Sequence, residues 1–241
     1  GCDIMNAVIY ARQSSGDEDQ SASVEQHAGY PAGARRLIAD AWQEVDDAIA
    51  LWPQFWGMRL QDSGVRLRLL PRPFAVGVDT WSRGELAYMV DSQIYRADLQ
   101  TPYDLFMEIT PQQAWECSIR YRTMTAALAR AVDGLKRAAQ TVPPESGAWA
   151  LTQAATLETL HFFWKTYENI FRFFAARDLG YGAAEQQGDV DSELANLESG
   201  IAHLECHPET VLRAARKWGQ CFGPDLTDDL RKKLHLMQKR G

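Results

Sequence analysis

The sequence has no long hydrophobic run, and this absence narrows its class at once. None of its apolar stretches reaches the roughly 18 residues that a membrane-spanning helix needs. Its first residues also lack the basic and then apolar pattern of a secretory signal peptide. We therefore expect no membrane association and a cytoplasmic location.

Cysteine is scarce as well. The chain of 241 residues contains four cysteines, and they are widely spaced: Cys2, Cys117, Cys206 and Cys221. A disulfide framework is typical of much shorter secreted chains with denser cysteines, so this count indicates a reducing environment. The doubled Cys-x-x-Cys spacing of many zinc sites is also missing.

An excess of basic charge is the third absence. The 25 Lys and Arg residues are outnumbered by 32 Asp and Glu residues, which gives a net charge of −7 and a pI near 5.3. A surface that neutralises many phosphates is positively charged, so the composition argues against a general nucleic-acid-binding protein.

The most informative stretch that is present runs over residues 147–178. It has no Pro and no internal Gly, and its large apolar residues recur at helical spacing: Leu157, Leu160, Trp164, Tyr167, Phe171 and Phe174. A second apolar stripe lies on a different part of the helix surface, so most of the helix circumference is apolar. This is typical of a helix buried on several sides. We predict that this is the central helix of a bundle, with Trp164 and Phe171 almost wholly buried.

The same periodicity predicts further helices along the chain. They cover 34–52, 110–140, 190–204, a segment that begins at Pro208, and 226–237. The start of the second is specified by several agreeing residues: Thr110 suits the N-cap, Pro111 suits the first turn, and Gln113 suits a capping box.

A change of period marks a small β element. Val65, Leu67 and Leu69 alternate with arginines, two prolines follow, and Phe74, Val76 and Val78 alternate again. Strict alternation is typical of half-buried strands, so the pattern predicts a hairpin near 65–78. Residues 85–97 suit either a strand or a helix.

These elements predict a mainly α fold: a multi-helix bundle around the central aromatic-rich helix at 147–178, with the small β hairpin near 65–78. We divide the chain into an N-terminal arm or strand-loop at 1–30 and a helical domain at 31–241.

Within that arm, residues 7–26 hold a short apolar strand that leads into Tyr10, Arg12 and Ser14, then a polar loop with Ser23 and Gln26. This stretch resembles the opening of serine recombinases, particularly the large serine integrases of phage and actinobacterial mobile elements. The resemblance implies that Ser14 attacks a DNA phosphodiester and that Arg12 stabilises the phosphoryl charge. It covers 20 of the 241 residues, and the family's α/β pattern does not continue beyond Gly29.

A second candidate site lies near the end of the predicted 190–204 helix. His203 and His207 are four residues apart and would share a helical face, and Cys206 and Cys221 would complete a tetrahedral metal site. Since Pro208 indicates that one helix ends here and another begins, we predict helix-end histidines and structural cysteines, with no metal and no cofactor.

The third candidate is the polar set on the central helix: Glu158, His161, Glu168, Asn169 and Arg172. Glu158 and His161 form a Glu-x-x-His, the spacing of carboxylate-bridged di-iron bundles, but that architecture needs a second such motif, which the sequence lacks. We interpret the set as a solvated stripe in which Glu168 and Arg172 pair along the helix surface.

Three more charged groups are interpreted as ordinary surface charge. The pairs Asp46–Asp47 and Asp228–Asp229 suggest acidic metal-binding pairs but occupy usual helix positions. The basic run at 231–240 complements the dipole of a helix C-terminus without any partner.

Two hypotheses for function follow. The first is a non-enzymatic helical interaction or regulatory protein, of phage or mobile-element origin, that binds a protein partner. The second is a serine recombinase-type DNA strand transferase, or a degenerate relative, with Ser14 as nucleophile. The acidic charge and the helical composition favour the first.

Overall fold

The computed structural model describes residues 30–52, 70–78, 81–82, 84–88, 110–210 and 226–240. In these residues the chain forms five α-helices and no strand: α1 (Ala32–Ala50), α2 (Pro111–Ala139), α3 (Pro144–Asp178), α4 (Ala183–Cys206) and α5 (Leu226–Arg240). The mainly helical bundle predicted from the sequence is confirmed. No helix in the described ranges is both long and apolar enough to cross a membrane.

The long helix α3 lies at the centre. It packs against α2 on one side and α4 on the other, while α1 packs on α2 and α5 packs on α4. The side chains of Trp164 and Phe171 are 2% and 0% exposed, as predicted. Burying α3 on several sides is what its apolar circumference requires.

The core around α3 is strongly aromatic. The Tyr121 ring of α2 stacks on Phe171 with centroids 6.0 Å apart and lies 5.5 Å from Tyr167. The ring of Trp52, just after α1, contacts both Tyr121 and Trp164. These rings join α1, α2 and α3, and aromatic pairs in such offset or tilted geometry add about 0.5–1.5 kcal/mol beyond the area that they bury.

Local sequence explains where these helices begin and end. At the start of α2 the Thr110 hydroxyl accepts a hydrogen bond from the Gln113 backbone and the Gln113 side chain accepts one from the Thr110 backbone, the predicted capping box. At the end of α3, Gly180 has a φ of 81°, and the next amide, that of Tyr181, donates back to the Ala176 carbonyl. This Schellman motif needs the left-handed conformation that Gly adopts at little cost.

The described half of the predicted hairpin is not a strand. Residues 70–78 are irregular, while residues 65–69 lie outside the described residues. Pro71 and Pro73 have no backbone N–H to give to a ladder, and Phe74 buries its ring against Phe173 and Phe174 of α3. Residues 70–75 are all buried, Ala75 included, so the apolar alternation at 74–78 marks neither a one-faced strand nor pairing in a sheet.

Other boundaries differ in detail. Helix α4 begins at Ala183, earlier than predicted, and it includes Gly188 because one Gly lowers helix stability without ending a helix. Residues 84–88, at the start of the ambiguous 85–97 segment, form turns. The rest of that segment lies outside the described residues, as do 1–29 and most of the helix predicted after Pro208.

Candidate functional site

A groove runs along α3 between the helices that flank it. One wall is α2, the other wall is α4, the floor is α3, and the volume of this open groove is about 750 Å³. On the floor the lining residues extend from Glu158 to Arg172. At 1.5 Å of rise per residue this is about 21 Å of helix, or about four turns.

Small side chains line both walls. Helix α2 contributes Ala126 and Ala129, and α4 contributes Ala195 and Ser199. Because such residues project little from a helix backbone, the groove stays open where larger residues would fill it.

Charged side chains are concentrated on the floor. Glu168 is 2% exposed, and its two carboxylate oxygens are contacted by different cations. Arg122 of α2 donates through Nε to Oε1 over 3.0 Å, and Lys165 of α3 places Nζ 2.9 Å from Oε2. The buried carboxylate thus holds two cations that themselves line the groove.

A third cation lies one turn further along α3. Arg172 places Nε 3.1 Å from Oδ1 of Asp189 on α4, while Oδ2 of Asp189 is buried with no hydrogen-bond donor among the described residues. Burial raises the pKa of the Asp189 carboxyl to about 6, although Arg172 opposes the shift. Arg172 also lies over the Trp115 ring, 5.7 Å from its centroid.

These contacts overturn part of the prediction that the polar set on α3 is a solvated stripe, although Glu158, His161 and Arg172 stay partly exposed. Glu168 and Asn169 are both buried, and Glu168 and Arg172 pair with other helices and not with each other. Sequence spacing could not show this, because Arg122 and Asp189 are far away in the chain and reach the site only through the packing of α2 and α4.

One end of the groove contains a Thr–His–Glu arrangement. His203 places Nε2 3.1 Å from the Thr159 hydroxyl, and its Nδ1 lies 3.8 Å from Glu158. However, Nε2 is also 3.0 Å from the Ala155 carbonyl, which only accepts, so Nε2 carries a proton and is no base for Thr159. Burial lowers the pKa of His203, which favours this neutral form. The arrangement is therefore not a nucleophile–base pair.

The predicted metal candidates are only partly brought together. The rings of His203 and His207 have centroids 4.9 Å apart, Cys206 is exposed, and Cys221 lies outside the described residues. Within the described ranges no three His, Cys, Asp or Glu side chains are placed to hold a metal ion. Glu158 of the Glu-x-x-His is contacted by Lys136 at 2.5 Å.

The opposite end of the groove carries exposed apolar surface. The Trp115 ring of α2 stacks on Tyr181, just after α3, with centroids 5.0 Å apart and planes 9° from parallel. Tyr181 and Ile119, one turn along α2 from Trp115, are 44% and 48% exposed. Because Arg172 lies over the Trp115 ring, this aromatic pair lies next to the Arg172 end of the groove.

A second polar cluster, which sequence reasoning missed, is buried on another side of α3. Lys233 of α5 and Glu193 of α4 are both 0% exposed and form an ion pair. The carboxylate of Glu193 also accepts from Thr166 and Asn169, and the Lys233 ammonium also donates to the Leu70 carbonyl over 2.9 Å. Burial lowers the pKa of Lys233. Because both charged side chains are closed off from solvent, this cluster is structural.

The basic run near the end of α5 is mostly paired. Arg231 contacts Glu205 and Asp228, and Arg240 contacts Glu85. Pairing with carboxylates reduces the attraction that this helix could exert on nucleic acid. The contacts to Glu205 and Glu85 were not foreseen, because both glutamates are remote in the sequence.

The residues of the recombinase resemblance, Arg12 and Ser14 among them, lie outside the described residues. Comparison of the chain with protein-family models, with curated proteins and with solved structures gives no match.

Proposed function

We propose that this protein is a non-enzymatic helical interaction protein that binds an acidic amphipathic helix of a protein partner in the α2–α3–α4 groove. The observation that carries the proposal is the groove, which is open between α2 and α4. Its floor carries cations that pair with buried carboxylates. A groove between helices that receives an amphipathic helix is a recurrent mode of peptide recognition.

The dimensions favour a helical occupant. The floor from Glu158 to Arg172 is about 21 Å long, which matches a helix of about 14 residues. Walls of Ala and Ser let a helix backbone approach closely. The exposed side chains of Ile119 and Tyr181 at one end offer an apolar contact for the same helix.

The charge of the groove favours an acidic occupant. Three cations, Arg122, Lys165 and Arg172, face two carboxylates, those of Glu168 and Asp189. The part of the floor around Glu168 therefore carries one net positive charge when both carboxylates are ionised, although the whole chain carries −7. Glu158, further along the floor, is paired with Lys136. A local positive groove on an acidic protein attracts acidic partners.

Selection from a displayed library of helical peptides tests the proposal and does not require the partner to be identified. Peptides are selected on the wild-type protein, and their affinities for the wild type and for Ala129→Trp are then compared. The Trp side chain projects from the groove wall and occupies part of the groove. Arg36→Trp, at an exposed position of α1, is the control for a tryptophan outside the groove. We expect enrichment of acidic amphipathic helices that bind the wild type and Arg36→Trp, and that lose about tenfold or more in affinity for Ala129→Trp, because a bulky ring excludes the helix.

Two results would count against the proposal. One is the absence of any enriched helical peptide. The other is a set of peptides that bind Ala129→Trp as well as they bind the wild type, since their site would then lie elsewhere.

The second candidate, a serine recombinase-type strand transferase of phage or mobile-element origin, rests on the resemblance at residues 7–26. A covalent protein–DNA adduct on denaturing gels, lost in Ser14→Ala, would support it. The absence of such an adduct with DNA that carries recombination sites would leave the interaction function as the better account.

A further inference from the structure

We infer that the floor of the groove is a receptor for one oxyanion, and that the partner helix supplies it as the carboxylate of an Asp or Glu side chain. Arg122, Lys165 and Arg172 form this receptor, which we name the cation cluster. The inference rests on the proposed function for the source of the anion, but binding of a small carboxylate to the cluster can be measured without any partner.

Buried carboxylates fix the cation cluster before any ligand arrives. Glu168 lies beneath Arg122 and Lys165 and contacts each through a separate oxygen. Asp189 contacts Arg172 from the opposite wall. Because the cations are held in place, less side-chain entropy is lost when a ligand binds. Glu168 and Asp189 are thus positioning residues.

The cations retain donors for a ligand. Arg122 uses Nε for Glu168, and its terminal nitrogens donate to no other side chain in the described part of the chain. Its side chain is 52% exposed, and those of Lys165 and Arg172 are 28% and 34% exposed. A guanidinium fork beside an ammonium matches the geometry and the charge of an oxyanion.

The charge balance favours a carboxylate over a phosphate group. The cation cluster exceeds its two buried carboxylates by one charge, so a single carboxylate neutralises this group of residues. A phosphate monoester near neutral pH carries about −1.5 to −2 and would leave excess negative charge next to Glu168 and Asp189. Like charges at such short range disfavour binding.

Nitrogen NMR of the arginine side chains tests the receptor directly. Sodium acetate and inorganic phosphate are titrated at constant ionic strength into the full chain, and the Nε–Hε resonances of Arg122 and Arg172 are followed. Arg130, which is held by both oxygens of Glu44 outside the groove, supplies the control resonance. We expect saturable shifts at Arg122 and Arg172 with acetate, weaker binding of phosphate, and no saturable shift at Arg130.

A pair of variants separates the cation cluster from general charge effects. Lys165→Gln removes one cation of the cluster, whereas Lys239→Gln makes the same charge change at an exposed position of α5. We expect acetate to bind Lys165→Gln about fivefold or more weakly, because a charge-assisted contact is lost, and Lys239→Gln to match the wild type. Unchanged amide spectra elsewhere in Lys165→Gln show that the fold persists.

Matched peptides separate failure of this inference from failure of the proposed function. A selected acidic helix and its Glu→Gln and Glu→phosphoserine versions are compared on the wild type. We expect the Gln and phosphoserine peptides to bind more weakly. Peptide binding that depends on the groove but is unchanged by Glu→Gln, together with no acetate shift at Arg122 or Arg172, would overturn the oxyanion receptor. The helix-binding function would still hold. Saturable acetate binding without any peptide that binds the groove would overturn the helix-binding function and support the receptor.

Discussion

At the scale of single residues, the contact between Gly200 and Phe162 sets how closely α4 approaches α3. A Cβ added at Gly200 would lie 2.2 Å from a ring carbon of Phe162, whereas one added at Gly188 on the same helix meets nothing within 4 Å. The Phe162 ring is buried, so it cannot move without disturbing the packing around it. Gly200 is therefore required by packing, and Gly188 is not.

This difference predicts opposite effects of the same substitution. Gly200→Ala should lower the free energy of unfolding by about 1–3 kcal/mol, because it overpacks the α3–α4 contact. Gly188→Ala should raise it by about 0.5–1 kcal/mol, because Ala favours the helix. Urea unfolding of both variants measures the two values. Equal effects of the two substitutions would show that α3 and α4 are not packed as described.

Asp189 predicts a specific pH dependence. Its pKa is about 6 in the folded protein against an ordinary value of 3.8, so between these values the folded state binds more protons than the unfolded chain, and acidification stabilises the fold. Relative to Asp189→Asn, the wild type should gain about 1 kcal/mol of unfolding free energy between about pH 7 and about pH 5. Urea unfolding at both pH values measures it. Parallel pH profiles of the two proteins would contradict the raised pKa.

Sequence spacing identified the charged residues of α3 but not their partners. Glu158, His161, Glu168 and Arg172 fall on one stripe at helical intervals, and this stripe is the floor of the groove. The spacing could not distinguish a solvated stripe from a groove floor, because the difference depends on Arg122 and Asp189. Neither of these two residues carried a local signal.

At the scale of secondary structure, α5 is fixed to the bundle by a buried ion pair. Lys233 connects α5 to Glu193 of α4 and to the carbonyl of Leu70, so one ammonium joins three segments. An ionic group without solvent contact is costly unless all its partners are present. Helix α5 should therefore depend on this pair more than on its surface charges.

We predict that Lys233→Met lowers the free energy of unfolding by about 3–5 kcal/mol, because it leaves the Glu193 carboxylate buried without its cation. The double variant Lys233→Met/Glu193→Gln should recover part of that loss. Lys239→Met should change the free energy of unfolding of the wild type by less than about 0.5 kcal/mol. Urea unfolding of the three variants gives the comparison. A loss below about 1 kcal/mol in Lys233→Met would mean that the pair is not buried in solution.

Helices were predictable from the sequence where local signals agreed. The start of α2 was specified by Thr110, Pro111 and Gln113, and the structure confirms the capping box. The segment at 74–78 was misread, since its apolar alternation does not follow burial: Ala75 is as buried as Phe74. The alternation also does not show what Phe74 packs against. Its partners, Phe173 and Phe174, are about 100 residues away in the chain.

At the scale of the whole molecule, the arrangement of the helices creates the groove. Helices α2 and α4 both pack on α3 and leave a partly uncovered strip of it between them, and that strip carries charged residues. The aromatic composition of α3 predicted its central position. The uncovered strip could not be predicted, because it depends on which helices neighbour α3 and at what distance.

The central claim is that this groove receives a partner helix, and amide NMR of the bound protein tests it most directly. A selected acidic peptide is titrated into isotope-labelled protein, and the shifted amides are mapped. We predict that the shifts concentrate at 122–129 of α2, 158–172 of α3 and 192–203 of α4, which line the groove, and spare the exposed faces of α1 and α5. A bound peptide whose shifts map to α1 or α5, with α3 unperturbed, would contradict the claim.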